Sequence, residues 1–242
     1  MPIAHIKLFL FMNYFIYASY IALLFCLTMC LIQFFRLIKL GAPKDFSEKS
    51  GSVTAGVIYS NTSAMSPFQK ESAYKHLPTY TAGILFHIGS FIALFCFLIL
   101  ILDDIIPYAA SRFFFQHTLI SSLIALYLLI STCCGIGLII KRIVSKKLRP
   151  ISNADDYISV ILVTLFHLIS ALLFVIYAFH EYFHKYFSSK AHSGIICTYF
   201  LVATLLFLYL PFGKLKHVVY YFAARYHLGF FYGRRGTWPT KK

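Results

Sequence analysis

The sequence predicts an all-α polytopic membrane protein, a bundle of five transmembrane helices with its N-terminus outside and its C-terminus in the cytoplasm. Three observations lead there. Of the 242 residues, 60% are hydrophobic and only 12% charged, with a mean hydropathy of +0.75, which lies outside the range of soluble domains. The apolar residues gather in five runs, near 8–35, 81–102, 117–140, 157–180 and 194–213. Each is long enough to cross a hydrocarbon core about 30 Å thick at about 1.5 Å per residue. The runs are also continuous rather than alternating, which favours helices over a barrel.

The first run is too long for a secretory h-region and has no small-residue cleavage pattern before Arg36, so it reads as a retained helix, tilted or with an interfacial end. The second carries a histidine within Ala82-Gly83-Ile84-Leu85-Phe86-His87-Ile88-Gly89. The third ends at the basic pair Lys141-Arg142. Asp155 and Asp156 enter the fourth, where acidic residues in a first turn read as an N-terminal cap. The fifth closes with Pro211-Phe212-Gly213-Lys214-Leu215-Lys216-His217. All six cysteines fall within the runs, without a C-x-x-C pair, so helix packing is expected of them and iron–sulfur clusters or covalent haem are not.

Charge sets the orientation. Segments 36–75, 141–149 and 214–242 carry eighteen of the Lys and Arg residues, and the other side carries only Lys7, Arg112, Lys185 and Lys190. This bias places the first loop, the third loop and the C-terminal tail in the cytoplasm. The net charge of +14 comes mainly from it, so a nucleic-acid partner is not expected, while anionic membrane lipid is. The loop from Gly41 to Tyr80 is long for a helix connection and has enough aromatic and aliphatic residues to fold against a partner. No repeat and no separate soluble domain is evident, so residues 1–242 are expected to form one integral membrane domain.

An ionisable side chain inside a membrane span is a functional candidate. His87 lies about two turns into the second helix and His217 just past the fifth, both on the cytoplasmic side. Two imidazoles on facing helices can ligate one haem b iron from opposite sides. Gly83 and Gly89 would let a flat macrocycle approach the backbone, and Arg142 and Lys214 would reach its propionates. The plainer readings are a histidine bonded to a neighbouring helix and basic residues that snorkel to the interface.

These residues carry a resemblance. From about Leu77 onward the chain resembles the haem b membrane subunits of the respiratory nitrate reductase gamma family, on Phe86-His87-Ile88-Gly89, the basic Lys141-Arg142 and the closing Phe212-Gly213-Lys214-Leu215-Lys216-His217. Lys70-Glu71-Ser72-Ala73-Tyr74, His76-Leu77-Pro78-Thr79-Tyr80, Leu148-Arg149-Pro150-Ile151-Ser152 and Asp155-Asp156-Tyr157 are similar to one branch of it. That branch serves heterodisulfide-reductase-like iron–sulfur partners, as in membrane complexes linked to dissimilatory sulfite reductase. The resemblance implies a multi-pass subunit of the inner (cytoplasmic) membrane that passes electrons between the quinone pool and an iron–sulfur subunit on the cytoplasmic face, and is no complete enzyme alone. It departs where the family holds a second haem. Those ligand positions are Phe97 and Tyr199 here, so one haem b is expected. A second would need a pair drawn from His117, His167, His180, His184 or His192, none with a clear partner.

Two other readings compete. His180-Glu181-Tyr182-Phe183-His184 fits the zinc metalloprotease pattern H-E-x-x-H. It lacks the extended continuation, and third ligands are limited to His192, Asp103 or Asp104. The same cluster suits proton release to the outside from an oxidised quinol, with His167 as the quinone's hydrogen-bond partner at mid-membrane; the plainer readings are a hydrated interfacial cluster and a His167 that bonds a neighbouring helix. Cys133-Cys134 raises a membrane thiol oxidoreductase, without the usual C-x-x-C geometry.

Overall fold

A computed structural model describes residues 3–41, 44–66, 75–105, 117–179 and 189–239. They form α1 (Ile3–Lys39), α2 (Val53–Asn61), α3 (Leu77–Ile105), α4 (Thr118–Val144), α5 (Ala154–Ala178), α6 (Ser189–Tyr209) and α7 (His217–Arg234), with no strand among the described residues. Four stretches, Met12–Lys39, Leu77–Leu102, Thr118–Val144 and Ala154–Ala178, are long and apolar enough to cross a membrane, or five if Ser193–Tyr209 and Lys214–Arg234 are taken together.

The sorting of side chains fits that medium. On α4 the buried positions include Ser121, Ala125, Ser131, Thr132 and Gly135, while Leu119, Leu123, Leu126 and Ile140 are more than half exposed. Small and hydroxylated residues face the other helices and large aliphatic ones face out, as expected where the solvent is hydrocarbon. The several long apolar helices therefore make this a multi-pass membrane protein.

The chain divides into two compact units, one of residues 1–26 and 81–213, the other of residues 27–80 and 214–242. In the first, α5 packs on α4 and on α6. Its start is fixed by a reciprocal capping box. The Asp156 amide donates to Asn153 Oδ1 at 3.1 Å and the Asn153 amide donates to Asp156 Oδ2 at 3.0 Å. This box starts the helix earlier than its apolar run suggests, because a capped first turn can be polar. The cap residue is Asn153, with Asp155 and Asp156 in the turn that follows. Arg142 binds Asp156 at 3.0 Å and donates to Ser152 at 3.0 Å, tying the basic end of α4 to the start of α5. Pro78 falls in the first turn of α3, where its missing N–H costs no helical hydrogen bond.

The second unit departs from the expected plain loop and tail. Ser52 caps α2, its Oγ accepting from the Ala55 amide at 3.3 Å, and α2 lies against α7. The crossing is made by glycines. A Cβ on Gly56 would strike the Gly229 carbonyl and come 2.9 Å from the Gly233 nitrogen, and a Cβ on Gly233 would come 2.7 Å from the Ser52 carbonyl. Backbones meet directly, as in small-residue helix pairs of membranes. Polar bonds hold both ends. Ser60 Oγ donates to the Arg225 carbonyl at 2.7 Å while Arg225 donates back to the Ser60 carbonyl, and the Ser50 and Gly51 amides both donate to the Arg234 carbonyl.

Asp45 closes this unit. Its carboxylate accepts from the Ser47 amide at 3.0 Å and pairs with Arg235 at 3.3 Å. The Ser47 amide first, and the Arg235 guanidinium second, hold its pKa down at about 2 against an ordinary 3.8. A depressed carboxylate stabilises the fold above its unfolded pKa and stops doing so as the folded group protonates. The difference in amide exchange at Ser47–Gly51 between the parent and Asp45→Asn should therefore be constant at neutral pH and shrink as the pH falls from about 4 through about 2. A difference that keeps its neutral-pH size down to about pH 2 would remove Asp45 from this role.

Candidate functional site

His87 sits on α3, exposed at the helix surface, with Nδ1 2.7 Å from the Gly83 carbonyl one turn earlier. A carbonyl can only accept, so Nδ1 is the donor in this bond, and a carbonyl on one ring nitrogen is the kind of partner that orients a metal-ligating histidine. Gly83 has open space where a Cβ would be. His217 opens α7 in the second unit and repeats the arrangement, exposed, with Nδ1 2.8 Å from the Lys214 carbonyl.

Gly89 serves a different purpose from the one its sequence position suggested. A Cβ there would lie 2.5 Å from Ser131 Cβ and 3.5 Å from His167 Cε1, so the missing side chain lets α4 approach α3. His167 lies in that contact and is fully buried. Its Nδ1 meets Ser131 Oγ at 3.0 Å and its Nε2 meets Ser90 Oγ at 3.1 Å. Ser90 and Ser131 also lie 3.0 and 3.4 Å from the Phe86 carbonyl, so each hydroxyl has its single proton to give either to that carbonyl or to the imidazole. One imidazole from α5 thus bonds serines on α3 and α4 and edges the Phe86 ring at 4.9 Å. Each interhelical hydrogen bond in such a setting is worth about 0.6 to 2 kcal/mol, and both ring nitrogens are engaged in holding helices.

Phe97 and Tyr199, where the resemblance would place a second ligand pair, meet in the bundle. The Phe97 and Tyr199 rings are fully buried with centroids 6.0 Å apart. Phe166 stacks on Tyr199 at 5.6 Å, and Phe207 packs on Phe97 at 5.0 Å. Aromatic side chains fill this space, and none of the rings is an imidazole, so the residues do not fit a second haem.

Of the expected propionate partners, Arg142 is engaged by Asp156 and Ser152, and Lys214 is exposed before α7. His180, Glu181 and His184 lie outside the described residues, as do the side chains of His192, Asp103 and Asp104. Among the described residues no group of three or more His, Cys, Asp or Glu side chains is placed to hold a metal ion. Cys133 and Cys134 are free thiols on α4. For His167 the sequence offered a bond to a neighbouring helix, and the structure supplies the partners, Ser90 and Ser131. Sequence reasoning missed the glycine pairing of α2 with α7, which had a legible signal, Gly229-x-x-x-Gly233, in a segment read as a tail. No family model, no curated protein and no solved structure matches the chain.

Proposed function

We propose that the chain is the haem b subunit of a membrane oxidoreductase complex, carrying electrons between the quinone pool and an iron–sulfur subunit on the cytoplasmic face. The observation that carries this reading is the pair of exposed histidines, His87 and His217, each with Nδ1 donating to a backbone carbonyl one turn or less away. The haem, when bound, supplies one-electron chemistry. In this reading His87 and His217 would hold the iron, the Gly83 and Lys214 carbonyls would keep the ring orientations, and Gly83 leaves the His87 side bare.

Phe97 and Tyr199 support a single haem. The charge bias supports five spans in the cytoplasmic membrane, N-terminus outside, with the loop at 41–80 and the segment 141–149 presented to the partner. Because α2 faces α7, the partner would meet the outer side of that pair. His167 drops out as the quinone's partner in this reading, since both its nitrogens bond serines.

The test is the reduced-minus-oxidised optical spectrum of the purified chain together with its haem content. A b-type spectrum and about one haem per polypeptide are expected. A polypeptide without haem after expression in haem-sufficient cells would sink the reading, and a ratio near two would overturn the role given to Phe97 and Tyr199.

A further inference from the structure

The second unit contains a groove of about 620 Å3 between the C-terminal part of α1 and α7, within the about 300–1,000 Å3 of ligand pockets. Leu27, Leu31 and Phe34 line one wall and Val218, Phe222 and Tyr226 the other, with His227 among the few polar groups. The α1 wall belongs to the candidate span Met12–Lys39, so hydrocarbon is the medium it faces. At one end of the α7 wall the first lining residues are Val218 and Val219, and the turn directly before them is Lys214–Lys216, with two exposed lysines. Acidic residues are absent from the groove and from the whole of α7.

We infer that this groove holds an anionic phospholipid, with an acyl chain along the Leu27–Phe34 and Val218–Tyr226 walls and its phosphate at Lys214 and Lys216. The argument is charge complementarity joined to an apolar channel. A neutral lipid would gain the wall contacts but nothing at the lysines, whereas each Lys near an anionic headgroup contributes about 1 kcal/mol. A free phosphate would gain the lysines but not the walls. An isoprenoid quinone would use His227 and leave the lysines unengaged.

The experiment compares phosphatidylglycerol with phosphatidylcholine of identical acyl chains, added to the purified full-length chain in detergent, with retained lipid counted by native mass spectrometry. Phosphatidylglycerol should be retained about 30-fold better, the two lysines at about 1 kcal/mol each. Lys214→Gln with Lys216→Gln should bring it down to the phosphatidylcholine level, and Ala223→Trp, which fills the α7 wall, should lower both. Thermal midpoints report folding of each variant, and if Ala223→Trp does not fold, the lysine pair decides alone. Equal retention of the two lipids, an unchanged preference in the lysine variant, or a copurified quinone that is lost in Ala223→Trp while phosphatidylglycerol stays would each overturn the assignment.

Discussion

Gly56→Ala should release α2 from α7. The added methyl meets the Gly229 carbonyl and the Gly233 backbone, and neither is the end of a flexible side chain that can swing aside. Overpacking in a tight contact costs about 1–3 kcal/mol, and backbone on both sides puts this case at the upper end. That corresponds to a population of opened α2 larger by on the order of 100-fold. The amides of Ser50 and Gly51, which donate to the Arg234 carbonyl at 2.9 and 3.0 Å, should lose exchange protection by that factor. Gly137→Ala is the control, because nothing lies within 4 Å of a Cβ there and alanine is the better helix former by about 1 kcal/mol. If Ser50 and Gly51 exchange as slowly in Gly56→Ala as in the parent, the glycine crossing does not hold the unit together.

If the chain binds haem as proposed, His87→Ala and His217→Ala should each abolish its low-spin b-type spectrum, with the protein still inserted in the membrane. An iron with one protein ligand left does not give a six-coordinate low-spin haem, so the effect is all or none rather than graded. His167→Ala, which removes the bridge between Ser90 and Ser131, should lower the thermal midpoint and leave the spectrum in place. The contrast separates ligation from helix packing. A full spectrum in either ligand variant would remove that histidine from the iron.

Much of the membrane-spanning architecture was legible because hydropathy is a local sum. Runs near 81–102, 117–140 and 157–180 each lie over one helix, and the differences fall at the ends, where Asn153 and Asp156 cap α5 with polar groups and Arg142 extends α4 through its bond to Asp156. Inside the helices the sequence was less informative. Gly83 and Gly89 look alike as glycines flanking His87, yet one faces open space and the other admits Ser131. A pattern of small residues says that something approaches closely and does not say what.

Residue types alone show that His87 and His217 stand in or beside apolar runs and that the basic residues are unevenly shared among the connecting segments, because ionisable groups near apolar runs are costly enough to stand out in any sequence. Tertiary structure decided the rest. It gave His167, which the sequence left as a quinone partner or a bond to a neighbouring helix, its two serine partners, and it paired the loop with the C-terminal segment through contacts such as Ser60 to Arg225, 165 positions apart. The physical reason is that hydrophobicity and charge act residue by residue against the solvent, whereas a hydrogen bond or a backbone crossing exists only between two partners, and which partners meet is settled by the packing of the whole chain.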